Sequence, residues 1–531
     1  MDSELLYQLI TNTADLYPDA EALKFKKASL TYKELADRIG SVAAGLQTIG
    51  LSRFERVAIY LPKCFEHVLS CFGSNMAAGV FVPVNPLLKS QQVAHILKDC
   101  NARILITSST RLEDLSNDVS TCHDLQSVIV IDDKNLTSIQ NDLPGITFYR
   151  WPELENNSVH NKPVPSIDID MAAILYTSGS TGKPKGVVLT NKNMLSGAKS
   201  VASYLKNTAD DRILAVLPFS FDYGFSQLTT AFHVGATVIM MDYLLPRDVV
   251  RAIEREKITG LAAVPPLWIK LAELDWPKAV TEHLRYMTNS GGAMPKTTLA
   301  SLRTMLPKSQ FYLMYGLTEA FRSTYLPPEE IDQRPDSMGK AIPNAEIMVV
   351  REDGSPCAVG EPGELVHRGS LVALGYWNDP AKTAERFKPV PSANTAIPLT
   401  EIAVWSGDTV KMDAQGYLYF VSRKDEMIKT SGYRVSPTEV EEIIYTSGLV
   451  TEAVALGIPH PELGQAILIV ATPKTGMQLD HQALTNYCKQ ELPNFMVPAA
   501  FIEQAALPRN PNGKIDRKSL VTEFNQFFQT A

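Results

Sequence analysis

Cysteine is scarce in this chain and is not arranged for chemistry. The six cysteines, Cys64, Cys71, Cys100, Cys122, Cys357 and Cys488, form no CxxC pair. That argues against a disulfide framework or a cysteine zinc site and fits reduced thiols. No uninterrupted apolar run reaches the ~18 residues of a membrane span. The start, Met1-Asp2-Ser3-Glu4, has no basic segment ahead of an apolar core, so a soluble, cytoplasmic protein is expected. Positive charge is not in excess either: 50 Lys and Arg meet 58 Asp and Glu, a formal charge of -8. No general field draws in nucleic acid or an anionic membrane, and neither is expected as a partner. Internal repeats and low-complexity tracts are also missing.

What is present is ordinary globular material, 45% hydrophobic and 20% charged over 531 residues, long enough for several domains. Continuous apolar runs such as Val57–Tyr60, Val80–Val84, Ile104–Ile106, Val128–Ile131 and Thr237–Met241 alternate with amphipathic stretches. That texture predicts an α/β fold with doubly wound parallel sheets covered by helices. The polar stretch from Trp151 to Asp168 reads as a connection between two sub-sheets, ahead of a strand over Met171–Tyr176. Short strands and turns such as Glu352-Asp353-Gly354 and Asp413-Ala414-Gln415-Gly416 predict a β subdomain over about 339–422. A large domain over 1–422 and a small, mobile α+β domain over 423–531 are expected.

The strongest local signal is Tyr176-Thr177-Ser178-Gly179-Ser180-Thr181-Gly182-Lys183-Pro184-Lys185-Gly186. Small residues let the backbone approach a polyanion, hydroxyls and main-chain N–H groups donate to phosphoryl oxygens, and Lys supplies charge. No GxxxxGK[ST] spacing runs through these glycines, so the segment is not a Walker A loop. The plain alternative is a flexible Gly- and Ser-rich surface loop.

This segment resembles the phosphate loop of the adenylate-forming superfamily, which contains acyl-CoA synthetases, amino-acid adenylating domains and beetle luciferases. Further motifs follow in the superfamily's order: Leu30-Thr31-Tyr32-Lys33-Glu34-Leu35, Asn289-Ser290-Gly291-Gly292-Ala293, Tyr315-Gly316-Leu317-Thr318-Glu319, Gly363-Glu364-Leu365, Gly375-Tyr376, Ser406-Gly407-Asp408, Ser422-Arg423-Lys424-Asp425 and Pro511-Asn512-Gly513-Lys514-Ile515-Asp516-Arg517. The likeness covers almost the whole chain, and the joint order carries it, since any one motif alone is weak. Ser422 stands where Gly is usual and Trp405 where Tyr or Phe is common; neither removes a group the chemistry needs.

The resemblance implies that a carboxylate attacks the α-phosphate of ATP with Mg2+ present, giving an acyl adenylate, and that a phosphopantetheine thiol then displaces AMP. By the same resemblance Lys514 is the cation between two anions, Glu319 the magnesium anchor, and Thr318 a contact to the α-phosphate. Thr177, Ser178, Gly179, Ser180, Thr181, Gly182 and Lys185 hold phosphates. Tyr315 and Gly316 lie near the adenine, and Gly291, Gly292 and Ala293 form a thin wall beside it. Asp408 takes the ribose hydroxyls with Arg423 beside it. Asp425 falls at the hinge, where rotation replaces Lys514 with the face around Thr430-Ser431-Gly432-Tyr433-Arg434. A surface lysine, a loop glutamate, a tight turn and a structural salt bridge are the plain alternatives for Lys514, Glu319, the 291–293 segment and Asp408–Arg423.

Leu217-Pro218-Phe219-Ser220-Phe221-Asp222-Tyr223-Gly224 bears on the substrate. Many acyl-CoA synthetases carry His in this region, whereas amino-acid adenylating domains carry Phe-Asp, whose carboxylate pairs with the α-ammonium. A buried Asp demands a cationic partner, which an amino acid brings; the alternative is an Asp that caps a helix. Tyr223, Ser226, Leu267, Thr288, Ser290, Met314 and Arg322 are further substrate-site candidates by motif position, and bulky Tyr223 and Met314 argue for a short substrate. Arg322 either pairs with Asp222 in the empty site or recognises a second anionic group. These features are similar to stand-alone ligases that load L-proline onto a carrier protein, and also to bacterial acyl-CoA ligases of similar length. After Lys514 the chain has only a short tail, so the expected acceptor is a discrete carrier protein or free coenzyme A.

Overall fold

The computed structural model describes residues 3–132, 134, 140, 143–155, 164–177, 184–391, 396, 399–423, 426–430, 433–460, 463–492, 494–511 and 513–529. Among them the strands form three sheets, as expected of a mixed α/β protein with a large N-terminal and a small C-terminal part.

Of the apolar runs predicted from sequence, all but Thr237–Met241 lie in the first sheet, whose order is Gly375–Tyr376, Lys185–Thr190, Met171–Thr177, Val80–Pro83, Arg56–Tyr60, Ala102–Thr107, Ser127–Val130, Thr147–Arg150. From Met171–Thr177 onward the pairings are parallel, and the strands are apolar on both faces because helices cover both. One sequence expectation is corrected here. The segment after Trp151 does not lead into a second sub-sheet: Met171–Thr177 returns to the middle of the first sheet, pairing Ala173 with Phe81. An apolar run records burial, not which of two equally apolar sheets it joins.

The second sheet starts with Ala28–Thr31, antiparallel to Glu21–Phe25, which lies beside Thr237–Met240, and runs on through the parallel strands Arg212–Ala215, Gly260–Ala263, Tyr286–Asn289 and Gln310–Tyr315. It continues without a break into the antiparallel β part, because Ser337–Ala341 pairs with Thr324–Leu326 on one side and Leu418–Arg423 on the other. Helices Tyr32–Thr48, Phe65–Met76, Asn191–Leu205 and Asp222–Val234 contribute to one buried apolar cluster with residues of both sheets. The Leu30–Leu35 motif is a helix start. Glu34 N donates to Thr31 Oγ1 at 3.2 Å while Thr31 N donates to Glu34 Oε2 at 2.8 Å, a reciprocal cap.

The third sheet is built from residues 428–503 and has its own apolar clusters around Val440, Ile469 and Leu520. This part lies against the large one. Asn85 Nδ2 donates to the Pro511 carbonyl at 2.8 Å, and Lys296 N donates to Glu442 Oε1 at 3.4 Å. Among the described residues no helix is long and apolar enough to cross a membrane, and all six cysteines are free thiols.

Candidate active site

Tyr286–Asn289 and Gln310–Tyr315 run parallel, with Asn289 opposite Leu313. Their carboxyl ends lie on the side where an open parallel sheet usually forms its ligand crevice. Beyond Asn289 the chain turns at Gly291, whose φ is +81°, and Asn289 Nδ2 fixes the turn by donating to the Gly292 carbonyl at 3.0 Å. A Cβ at residue 291 would stand 3.0 Å from Lys514 Cε. Glycine therefore serves both the turn and the close passage of this lysine. Gly292 and Ala293 face solvent.

Lys514 arrives on the 508–516 segment, where Asn510 N donates to its carbonyl at 2.8 Å and Lys514 N donates to Asn510 Oδ1 at 3.0 Å. Its ammonium lies 5.3 Å from the centre of the Phe221 ring. Burial, helped by the like charge of Arg423, pushes its pKa below that of an ordinary lysine, while Asp222, Asp408 and Glu319 oppose the shift. Asp222, Asp408 and Glu319, from distant parts of the chain, are thus within electrostatic reach of Lys514, and it is the buried ammonium itself that could bridge two anions.

Asp408 and Arg423 face each other in adjacent strands, their side chains 3.4 Å apart. The Tyr315 hydroxyl donates to Asp408 Oδ2 at 2.5 Å, and burial raises the Asp408 carboxyl above its usual value despite Arg423. Glu319 lies in the turn Thr318–Ala320. The Tyr376 hydroxyl donates to its Oε1 at 2.5 Å, and Oε2 receives no hydrogen bond from a described residue. Mg2+ is held by one or two carboxylates together with substrate phosphates and water; a single oriented carboxylate in this crevice fits that donor set. Thr177 and Lys185 pair across the hairpin that carries the phosphate-loop motif, with Lys185 Nζ 5.6 Å from the Tyr376 ring centre. Ser178, Gly179, Ser180, Thr181 and Gly182 lie outside the described residues, as does Asp425. Of the 430–434 face only Thr430 has a described side chain.

Asp222 is the first residue of helix Asp222–Val234. Phe221 occupies the capping position, so the Asp is not the cap. Its Oδ2 accepts from Arg322 Nη1 at 2.9 Å and its Oδ1 from Thr318 Oγ1 at 3.4 Å. The buried carboxylate therefore has a cation from its own chain. Arg322 also donates to the carbonyls of Phe321 and Asp222, lies over the Tyr223 ring, and leaves its buried Nε without a partner. Tyr223 O–H and Thr288 Oγ1 are 2.5 Å apart. Met314 Sδ accepts from Tyr204 O–H at 3.0 Å. Ser226, Leu267, Ser290 and Met314 are all buried, and Gly316 sits against the Arg322 backbone.

Residues that motif position leaves without a role also matter. Tyr376 orients Glu319. His367 Nδ1 lies 2.8 Å from Ser323 Oγ, next to Arg322, and burial lowers the His367 pKa to about 3, keeping the ring neutral. Phe321 takes a positive φ of 55°, and its ring fills the space that Gly197 leaves. Nothing local in the sequence marks His367, which comes from the β part.

Known proteins are similar to this chain in sequence and in fold. A sequence model of the AMP-binding enzyme family matches residues 10–377, and one of the AMP-binding enzyme C-terminal domain matches residues 439–514. Tyrocidine synthase 2 of Brevibacillus parabrevis is 29% identical over 525 residues, covering 97% of this chain; the chain spans 13% of that protein's length. A long-chain-fatty-acid–CoA ligase of Bacillus subtilis (strain 168) is 26% identical over 553 residues, covering 98% of this chain and 95% of that protein. Among solved structures, o-succinylbenzoate CoA synthetase (MenE) from Bacillus subtilis, in complex with its acyl-adenylate intermediate, is similar at TM-score 0.80 and 25% identity, covering 97% of both chains. ATP-bound MatB from Rhodopseudomonas palustris shares the fold at TM-score 0.85 and 23% identity, covering 98% of this chain and 99% of that one. The chain belongs to the AMP-binding enzyme family of the adenylate-forming superfamily and is an ATP-dependent, AMP-forming ligase.

Proposed function

We propose that the protein activates a small amino acid, with L-proline the first candidate, as its adenylate and passes it to the phosphopantetheine thiol of a separate carrier protein. The observation that supports this reading is Asp222. Its carboxylate is buried beside the crevice, and Oδ1 is held only by a long 3.4 Å bond from Thr318, leaving acceptor capacity for an ammonium. In this reading the substrate amine meets Oδ1 while Arg322 keeps Oδ2. Lys514 lies between the substrate carboxylate and the α-phosphate, Thr318 contacts that phosphate, Glu319 holds Mg2+, and Asp408 takes the ribose hydroxyls. Bound Mg2+ would neutralise charge on the departing pyrophosphate. Bulky Tyr223 and Met314 in the wall favour a short substrate.

A second reading, an acyl- or aryl-CoA ligase, is favoured by the Arg322–Asp222 pair itself, because a carboxylate already neutralised demands no amine. Substrate-dependent ATP–pyrophosphate exchange across proline, other amino acids, short fatty acids and aryl acids separates the two. Exchange with amino acids alone supports the first reading. Exchange with acids lacking an amine, followed by thioester formation on free coenzyme A, overturns it in favour of the second.

A further inference from the structure

Helix Pro380–Arg386 links the two ends of the nucleotide crevice. At one end Thr383 Oγ1 accepts from Tyr376 N at 2.9 Å, and the Tyr376 hydroxyl holds Glu319. One turn later Arg386 crosses the Trp405–Asp408 strand. A Cβ on Gly407 would stand 2.8 Å from Arg386 Cζ and 2.9 Å from Nη2, so the guanidinium lies directly against Gly407, the neighbour of Asp408. Thr383 and Arg386, three apart, share a helix face, so that one face meets Tyr376, which holds Glu319, and the Trp405–Gly407 backbone next to Asp408.

Three cations, Lys185, Lys382 and Arg386, gather at this helix, with Asp379 and Glu385 among them. Lys382 is paired with Glu385, and Asp379 caps the helix by accepting from Lys382 N at 2.9 Å. Arg386 donates from Nη1 to the Trp405 carbonyl at 3.2 Å and has no carboxylate partner among the described residues. Lys185 likewise has none, and burial together with Lys382 and Arg386 lowers its pKa, with Asp379 and Glu385 opposing. Like charges gathered in a partly desolvated crevice repel unless an anion comes between them.

We propose that Arg386 is a further triphosphate-binding residue, its guanidinium engaging β- or γ-phosphoryl oxygens of ATP and then those of departing pyrophosphate. A planar fork of donors matches phosphoryl oxygens in geometry as well as charge. The contact lies beyond the α-phosphate, so AMP does not make it.

The test is calorimetric binding of Mg·ATP, AMP and pyrophosphate to the full-length protein and to Arg386→Ala and Arg386→Lys, with thermal midpoints recorded. The expected result is Mg·ATP and pyrophosphate binding weakened by about tenfold or more in Arg386→Ala, AMP affinity unchanged within twofold, and partial recovery in Arg386→Lys. Equal weakening of ATP and AMP would mean that Arg386 only braces the Trp405–Gly407 strand, and overturns the proposal; so does unchanged ATP binding. If Arg386→Ala fails to fold, Arg386→Gln against Arg386→Lys gives the same comparison.

Discussion

Arg322 Nη1 and Asp222 Oδ2 are 2.9 Å apart, and both side chains are at most 5% exposed. Breaking such a pair leaves one charge buried alone and costs about 3–5 kcal/mol. Asp222→Ala therefore lowers the unfolding midpoint as well as raising the KM for the acid. The double variant Asp222→Leu/Arg322→Met, apolar at both positions, recovers most of the stability but not the KM. Denaturant unfolding with exchange kinetics checks this; full recovery of both would leave the pair with no part in substrate recognition.

Lys514 carries the adenylation step in this account. Lys514→Ala lowers the adenylation rate on the order of a hundred- to a thousandfold, while Mg·ATP still binds. Because burial lowers the pKa of this lysine, its ammonium loses its proton at a lower pH than an exposed lysine does, and activity falls on the alkaline side. Lys514→Arg keeps its charge and moves that limb to higher pH. The pH profile of single-turnover adenylation measures both.

Tyr376→Phe removes the hydrogen bond that fixes Glu319. The Mg2+ concentration for half-maximal ATP binding rises roughly tenfold or more, with the KM for the acid unchanged. Titrating Mg2+ at fixed ATP reads this directly, and an unchanged midpoint refutes the orienting role.

Asp408 sets the acidic side. Burial raises its carboxyl above the ordinary value of 3.8, so on acidification it takes up its proton earlier than an exposed aspartate. A protonated carboxyl loses acceptor capacity for the ribose hydroxyls. The dissociation constant for ATP therefore climbs as pH falls, and Asp408→Asn binds weakly with a flat pH dependence, both measurable by nucleotide binding across pH.

Sequence and structure diverge at identifiable places. Strands such as Arg56–Tyr60 are legible because their apolar runs have no polar alternation. The sheet joined by Met171–Thr177 is not, because parallel pairing with Val80–Pro83 spans a long stretch of chain and leaves no local trace. In the site, motif order singles out Glu319, Asp408, Lys514 and Asp222, and the fold brings them around one crevice. The partner of Asp222 cannot be chosen from sequence: an α-ammonium and Arg322 satisfy the same electrostatic demand, and the deciding turn at Phe321 depends on space left by Gly197 in another helix. Tyr376 is visible as a motif residue, but its hydroxyl finds Glu319 only through the packing of a neighbouring sheet.

The most direct test compares L-proline with cyclopentanecarboxylate, a ring of the same size without the amine, in ATP–pyrophosphate exchange by the unmodified protein and by Asp222→Ala. A charge-assisted hydrogen bond to the amine predicts that proline is preferred by about tenfold or more in kcat/KM and that Asp222→Ala removes the preference. Equal exchange with both acids, unaffected by Asp222→Ala, would contradict amino-acid activation.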